Sequence, residues 1–273
     1  VKRLLSILAY GNFIVASSAG ALSLCSVALE PFISIEYSLF IFFATWAAYG
    51  YMHLQELNDS EQLKHPVLLF TLEHRKSIIA ISLFSAIASI CILFSLPFKW
   101  VLALSPAVLI SLFYPSTPIW SKGLRSVPGL KLPLIAFTWA WTCAVVPLIF
   151  NPIDIEIILL RSLSFFTWIY ALAIAFDLRD VEYDKQSLNT LPQRSTISAI
   201  NTARVFTLIA ALSSLSEHFL LDSSWQLSSL ITLPFVLTLM ALNRISKKPD
   251  ALFISFHMEA LPILYFAIIW LMR

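Results

Sequence analysis

Apolar residues in this chain fall in long runs joined by short links, and run length is the first thing that can be converted into structure. A helix needs about 20 predominantly apolar residues to cross a bilayer. Against that length the runs predict nine membrane helices, at roughly 4–29, 37–56, 77–96, 98–114, 131–150, 157–176, 201–221, 226–243 and 251–272. The fourth is short, and only the turn Leu96-Pro97-Phe98-Lys99 divides it from the third. No compositional break interrupts the series, so residues 1–273 read as one all-α, polytopic membrane domain. The amino end, Lys2-Arg3 before an apolar stretch with small residues at 16–21, has the outline of a signal peptide. Its apolar run continues to Leu29, longer than a signal core needs, and an uncleaved first helix is expected.

Composition agrees with this pattern. Hydrophobic residues make up 59% and charged residues 12%, against about 25% charged in soluble domains, and the mean hydropathy is +0.82. The net charge of +2, without a basic stripe interleaved with aromatics, gives no support to nucleic acid as a partner. Membrane lipids and small molecules are the expected partners. Cys25, Cys91 and Cys143 stand singly inside apolar runs, with no CxxC spacing, and are expected as small core residues.

Nine spans put the two ends on opposite sides of the membrane, and basic residues orient the series. With the amino end in the cytoplasm, only Lys99, Arg161 and Arg273 of the 18 Lys and Arg residues fall on the far side. The expectation is a multi-pass protein, of a bacterial inner membrane, with its amino end and its acidic segments cytoplasmic.

Those acidic segments carry the candidate chemistry. Asp177, Asp180 and Asp184 lie at i, i+3 and i+7, one face about 60° wide if the backbone is helical, at the end of the apolar run 158–176. Clustered carboxylates at a membrane surface are costly and call for a cation, and an oxygen-only set suits a hard ion such as Mg²⁺. Read alone, the same residues also fit a solvated loop with Arg179 and Lys185 as salt-bridge partners. Glu56 and Asp59, i and i+3 at the cytoplasmic end of the second span, form a second patch that fits either a second cation or a solvated helix end. His53, one turn earlier, reads as a satisfied polar residue, and His65, His74 and His218 as loop or interface residues. The loop 113–131 holds Lys122, Arg125 and Lys131 among prolines and glycines. These three and Arg194 serve either as topology determinants or as contacts for a metal-bound diphosphate. Glu259, in His257-Met258-Glu259 of the last span, either faces a central cavity or is satisfied by His257 and a neighbouring helix.

Together these features suit a substrate with an isoprenoid tail and a diphosphate head. Carboxylate-held Mg²⁺ and Lys or Arg would neutralise the departing diphosphate, and apolar walls would keep water from the allylic cation. The segment Asp177-Leu-Arg-Asp-Val-Glu-Tyr-Asp-Lys with Asn189-Thr-Leu-Pro192 resembles the second aspartate-rich motif of the UbiA-type intramembrane prenyltransferases. The loop 114–131 is similar to that family's loop between helices four and five. The first motif departs from the family's Asn-Asp-x-x-Asp-x-x-x-Asp. Here it reads Gln55-Glu56-x-x-Asp59-x-x-x-Leu63, with two of three carboxylates kept and one of them as Glu.

The resemblance implies a helical bundle around a central cavity open to lipid, with Mg²⁺ bridging the two acidic motifs to an isoprenyl diphosphate. It implies transfer of the prenyl group to an aromatic or other lipophilic acceptor. Asp177, Asp180 and Asp184 carry over as the catalytic second metal site, Glu56 and Asp59 as the first, and Lys122, Arg125, Lys131 and Arg194 as diphosphate contacts. A relative that only binds or moves an isoprenoid lipid would need the cavity alone. An unrelated small transporter would show Gly- or Pro-broken helices in two matching halves, and five glycines without an internal repeat speak against it.

Overall fold

The computed structural model describes residues 2–27, 35–57, 64–115, 123–181, 183, 190–247 and 250–272. Among them all regular structure is helical. The first third comprises α1 (Lys2–Tyr10), α2 (Phe13–Val27), α3 (Ile35–Glu56), α4 (Pro66–Glu73) and α5 (Arg75–Leu93). Next come α6 (Phe98–Ala103), α7 (Ser105–Phe113), and α8 (Lys131–Ala140), which runs through a π turn (Trp141–Val145) into α9 (Val146–Leu148). The last part holds α10 (Ile155–Asp180), α11 (Leu191–Arg194), α12 (Thr196–Leu220), α13 (Trp225–Leu230) and α14 (Leu233–Ile245). It closes with α15 (Ala251–Phe253), a second π turn (Ile254–Met258) and α16 (Glu259–Leu271).

Six of the described helices or helix series are long and apolar enough to cross a membrane, and α1 with α2 makes a seventh if that bent pair is one span. The nine runs of the sequence also include α3 and the α6–α7 pair, which stay outside that set. In α3 the tyrosines, His53 and Gln55 of its second half dilute the apolar content, and α6–α7 breaks at Leu104 ahead of Pro106. The break between α1 and α2 has a local cause. Asn12 sits at φ 63°, a left-handed conformation that Asn tolerates better than most residues, and the axis turns by 61° there. Trp46 Nε1 of α3 donates to the carbonyl of Gly11 at 2.8 Å, holding the bend in place.

At the centre stands α10, packed on α8 and α12. Lipid tails are as apolar as leucine, so close packing and hydrogen bonds between helices hold a membrane bundle together. Both are present. Ala171, Ala173 and Ala175 let neighbours approach α10, Ser164 Oγ donates to the Ala210 carbonyl at 2.9 Å, and Trp168 Nε1 donates to Thr238 Oγ1 at 3.0 Å. Trp168, Phe235, Phe165 and Tyr265 interlock as buried rings around it. Between α2 and α3, Gly20 permits close approach, since a Cβ there would lie 3.2 Å from Phe42 Cβ. Phe84, Ile87, Ile90 and Phe94 point outward along α5 and its C-cap, as lipid-facing side chains should. Cys25 and Cys143 are in the core as expected, but Cys91 is exposed with that outward face.

One charged pair lies wholly inside the bundle. Arg161 of α10 pairs with Glu217 of α12 through Nη2 and Oε1, both side chains being 0% exposed, and Arg161 Nη1 donates to the carbonyl of Cys25 in α2 at 2.7 Å. Three helices are thereby joined at the end of α10 opposite Asp177, about 24 Å away at 1.5 Å of rise per residue.

Candidate active site

The described part of α10 ends at Asp180. Helical spacing relates Asp177 and Asp180 on its last turn. Asp184, Asp59 and Lys122 are outside the described residues. The other predicted residues can be placed. Glu56, Asp177 and Asp180 with Arg125 and Lys131 line one cavity of about 270 Å³ between α3, α8 and α10. Arg194 does not line it. It lines a smaller adjoining pocket that shares Arg125, Lys131 and Asp177.

Each of the three carboxylates is engaged by a cation. Lys131 Nζ lies 2.6 Å from Asp177 Oδ1, and Asp177 is only 2% exposed. Lys131 is the first residue of α8, where the sequence starts its fifth run, so helix packing against α10 aims its amine. Arg125 Nη1 donates to Glu56 Oε1. A short 3₁₀ turn (Leu124–Ser126) carries Arg125, and its N–H donates to the Tyr114 carbonyl at the end of α7. Gly129 at φ 79° turns the chain from there into α8, a conformation open to glycine at little cost.

Asp180 has the densest set of partners. Arg179 grips it with two donors, Nε to Oδ1 at 2.5 Å and Nη2 to Oδ2 at 3.0 Å, and reaches α15–α16 through Nη1 to Ser255 Oγ at 2.6 Å. His65 Nε2 is 2.8 Å from Asp180 Oδ1. Its Nδ1 accepts from the Val67 N–H at 3.3 Å, capping α4, so the ring proton is on Nε2 and points at the carboxylate. Tyr183 packs edge-on against the His65 ring, with centroids 4.8 Å apart.

Sequence reasoning missed several cavity residues. His65 reads as a loop histidine, and its one signal is the following Pro66, which marks a helix start with His65 at the cap. Arg179 reads as a surface partner but points inward. His53 is half-buried in the cavity wall and its Nδ1 lacks a hydrogen-bond partner, so the expectation of a satisfied polar residue does not hold for that atom. Glu259, left open between two readings, lines the cavity. Away from the charges the wall is apolar, with Ile110, Leu134, Ile135, Trp139, Ile169, Leu172 and Phe176.

Carboxylate oxygen is the right donor type for Mg²⁺. Among the described residues, however, no three His, Cys, Asp or Glu side chains group as a metal site. Glu56 comes from α3 and Asp177 and Asp180 from α10, and each is held by its own cation.

No family model matches the sequence, and no curated protein matches it. Solved structures match the fold over nearly the whole chain. A UbiA homologue from Aeropyrum pernix K1, in its apo form, superposes with a TM-score of 0.68 at 16% identity, covering 94% of this chain and 97% of that one. A UbiA homologue from Archaeoglobus fulgidus bound to DMAPP and Mg²⁺ gives 0.62 at 15% identity, covering 99% and 97%. A structure of digeranylgeranylglyceryl phosphate synthase gives 0.59 at 15% identity, covering 100% and 99%. The chain has the fold of these proteins.

Proposed function

We propose that this protein is an intramembrane prenyltransferase that moves the prenyl group of an isoprenyl diphosphate to an aromatic or other lipophilic acceptor. The observation that carries this reading is one cavity with carboxylates and cations gathered at one side and an apolar wall beyond them. A diphosphate head and an isoprenoid tail need those two environments side by side. The fold neighbours support it, one of them having DMAPP and Mg²⁺ bound.

In this reading Arg125 and Lys131 bind the diphosphate oxygens, and Arg194 approaches from the adjoining pocket. Asp177, Asp180 and Glu56 would hold Mg²⁺, joined by Asp184 and Asp59. When bound, the metal supplies positive charge against the leaving diphosphate. The C–O bond breaks with its electron pair leaving on the diphosphate, the acceptor's nucleophilic atom bonds to the freed allylic carbon, and the acceptor gives up a proton. Leu134, Trp139, Leu172 and Phe176 exclude water, the competing nucleophile. His65 and Arg179 fix the rotamer of Asp180. By the distribution of basic residues, the amino end and the charged side of the cavity are cytoplasmic.

The test is transfer of radiolabelled prenyl diphosphates by membranes containing the protein, with and without Mg²⁺, across aromatic and lipid acceptors. Mg²⁺-dependent labelling abolished by Asp180→Asn supports the enzyme. Saturable diphosphate binding without transfer to any acceptor would replace it with a protein that binds or moves an isoprenoid lipid.

A further inference from the structure

Two helices of the outer surface change character at the same level. On α14, Val236 and Met240 are exposed and apolar, and about one turn further toward its carboxyl end the same stripe carries Asn243, Arg244 and Lys247, all exposed. On α12, which packs beside α14, the outward stripe read toward the amino end is Leu212, Leu208 and Val205, then Arg204 and Asn201. Arg204 touches Asn243, so the two changeovers coincide in space. A shift from exposed apolar to exposed basic side chains on neighbouring helices marks the boundary between hydrocarbon and headgroups.

The arginines at this boundary are oriented by groups that leave their charge uncompensated. Arg204 Nη1 donates to Asn201 Oδ1 at 3.0 Å and Nη2 to Asn243 Oδ1 at 2.6 Å, both neutral amides. The Arg244 guanidinium sits over the Phe253 ring of α15, 4.1 Å from its centroid. Among the described residues neither arginine forms an ion pair. Asp250, the carboxylate nearest Arg244 along the chain, instead caps α15 by accepting from the Phe253 N–H at 2.8 Å. A topology signal needs only positive charge on one side of the membrane. It does not need a guanidinium held between two helices. A fixed fork of N–H donors suits a phosphate, and basic pockets between membrane helices hold anionic lipid headgroups.

We propose that the seam of α12 and α14 binds one anionic phospholipid: its phosphate takes hydrogen bonds from Arg204 and Arg244, and an acyl chain lies along Val205, Leu208, Val236 and Met240. Two cations without a carboxylate favour a headgroup of net negative charge, whereas a choline headgroup brings a cation of its own to the same place. The bound lipid joins α12 to α14 at the bilayer boundary. None of these residues lines the cavity or the pocket beside it, so the site is separate from both.

The experiment is native mass spectrometry of the full chain titrated with an equimolar mixture of phosphatidylglycerol and phosphatidylcholine of identical acyl chains. Two uncompensated arginines set the expected preference of the first bound lipid for phosphatidylglycerol at about ten-fold or more. In the double variant Arg204→Gln with Arg244→Gln the ratio should fall below about three-fold. Lys76→Gln, which removes an exposed cation at the start of α5, should leave it unchanged. Equal binding of the two lipids by the wild-type protein would overturn the proposal whether or not the variants fold. An unchanged ratio in the double variant would do the same, and an equal loss in Lys76→Gln would replace the site with diffuse surface charge. Excess glycerol phosphate should leave the lipid bound, because it lacks the chains. Its displacing the lipid would overturn the phospholipid as ligand in favour of a soluble phosphate compound.

Discussion

Arg161 and Glu217 form an ion pair from which water is wholly excluded, at the opposite end of α10 from the cavity. A buried pair costs much of what it gains, but a broken one leaves a naked charge inside the bundle. Arg161→Met and Glu217→Gln, made singly, should each destabilise the protein by about 3–5 kcal/mol, and the double variant Arg161→Met with Glu217→Met should recover most of that loss. Thermal unfolding in detergent checks it. Single variants as stable as the wild type would show that the pair does not hold α10 to α12.

Lys131 and Asp177 should behave differently, because they line the cavity. Lys131→Met removes the amine beside a carboxylate that is 2% exposed. A loss of about 2–3 kcal/mol is expected, discounted for the partial exposure of Lys131, together with weaker diphosphate binding. Lys131→Arg should restore much of both. Diphosphate affinity unchanged in Lys131→Met would remove Lys131 from the binding site.

His65 acts through Asp180. Loss of the Nε2 donor in His65→Ala should lower Mg²⁺-dependent transfer by about 10–100-fold, the usual effect of removing a group that orients a ligand carboxylate. The defect should appear as a raised Mg²⁺ requirement, read from titrations of activity against Mg²⁺. A fall in rate with no change in that requirement would assign His65 to capping α4 alone.

Asn12 turns the chain between α1 and α2 at φ 63°. Asn12→Gly should leave stability close to the wild type, whereas Asn12→Val should cost about 1–2 kcal/mol because its branched side chain resists this conformation. Unfolding temperatures of the pair decide it, and equal values would mean that the bend relaxes without cost.

Where the sequence was legible, the governing physics was local. Bilayer thickness fixes run length, so the membrane character and the long spans at α5, α8–α9, α10, α12, α13–α14 and α15–α16 could be read directly from the chain. Helical period did the same for Asp177 and Asp180, three residues apart and lining one cavity. It could not show that α10 ends at Asp180, because a helix end depends on its capping groups and on the elements packed around it. The nine-run count likewise exceeded what length and hydropathy support for α3 and α6–α7.

The partners of the charges were decided by tertiary structure alone. Arg125 meets Glu56 across 69 positions, Arg179 meets Ser255 across 76, and His65 meets Asp180 across 115. Nothing in a linear pattern ranks such pairings. The sequence by itself determined an all-helical membrane protein with acidic residues gathered at its basic-rich side, because hydrophobic length and helical spacing are one-dimensional quantities. Only the packing of α3, α4, α8 and α10 decided which cation meets which carboxylate, because a buried charge is defined by whatever the fold brings within a few ångströms of it.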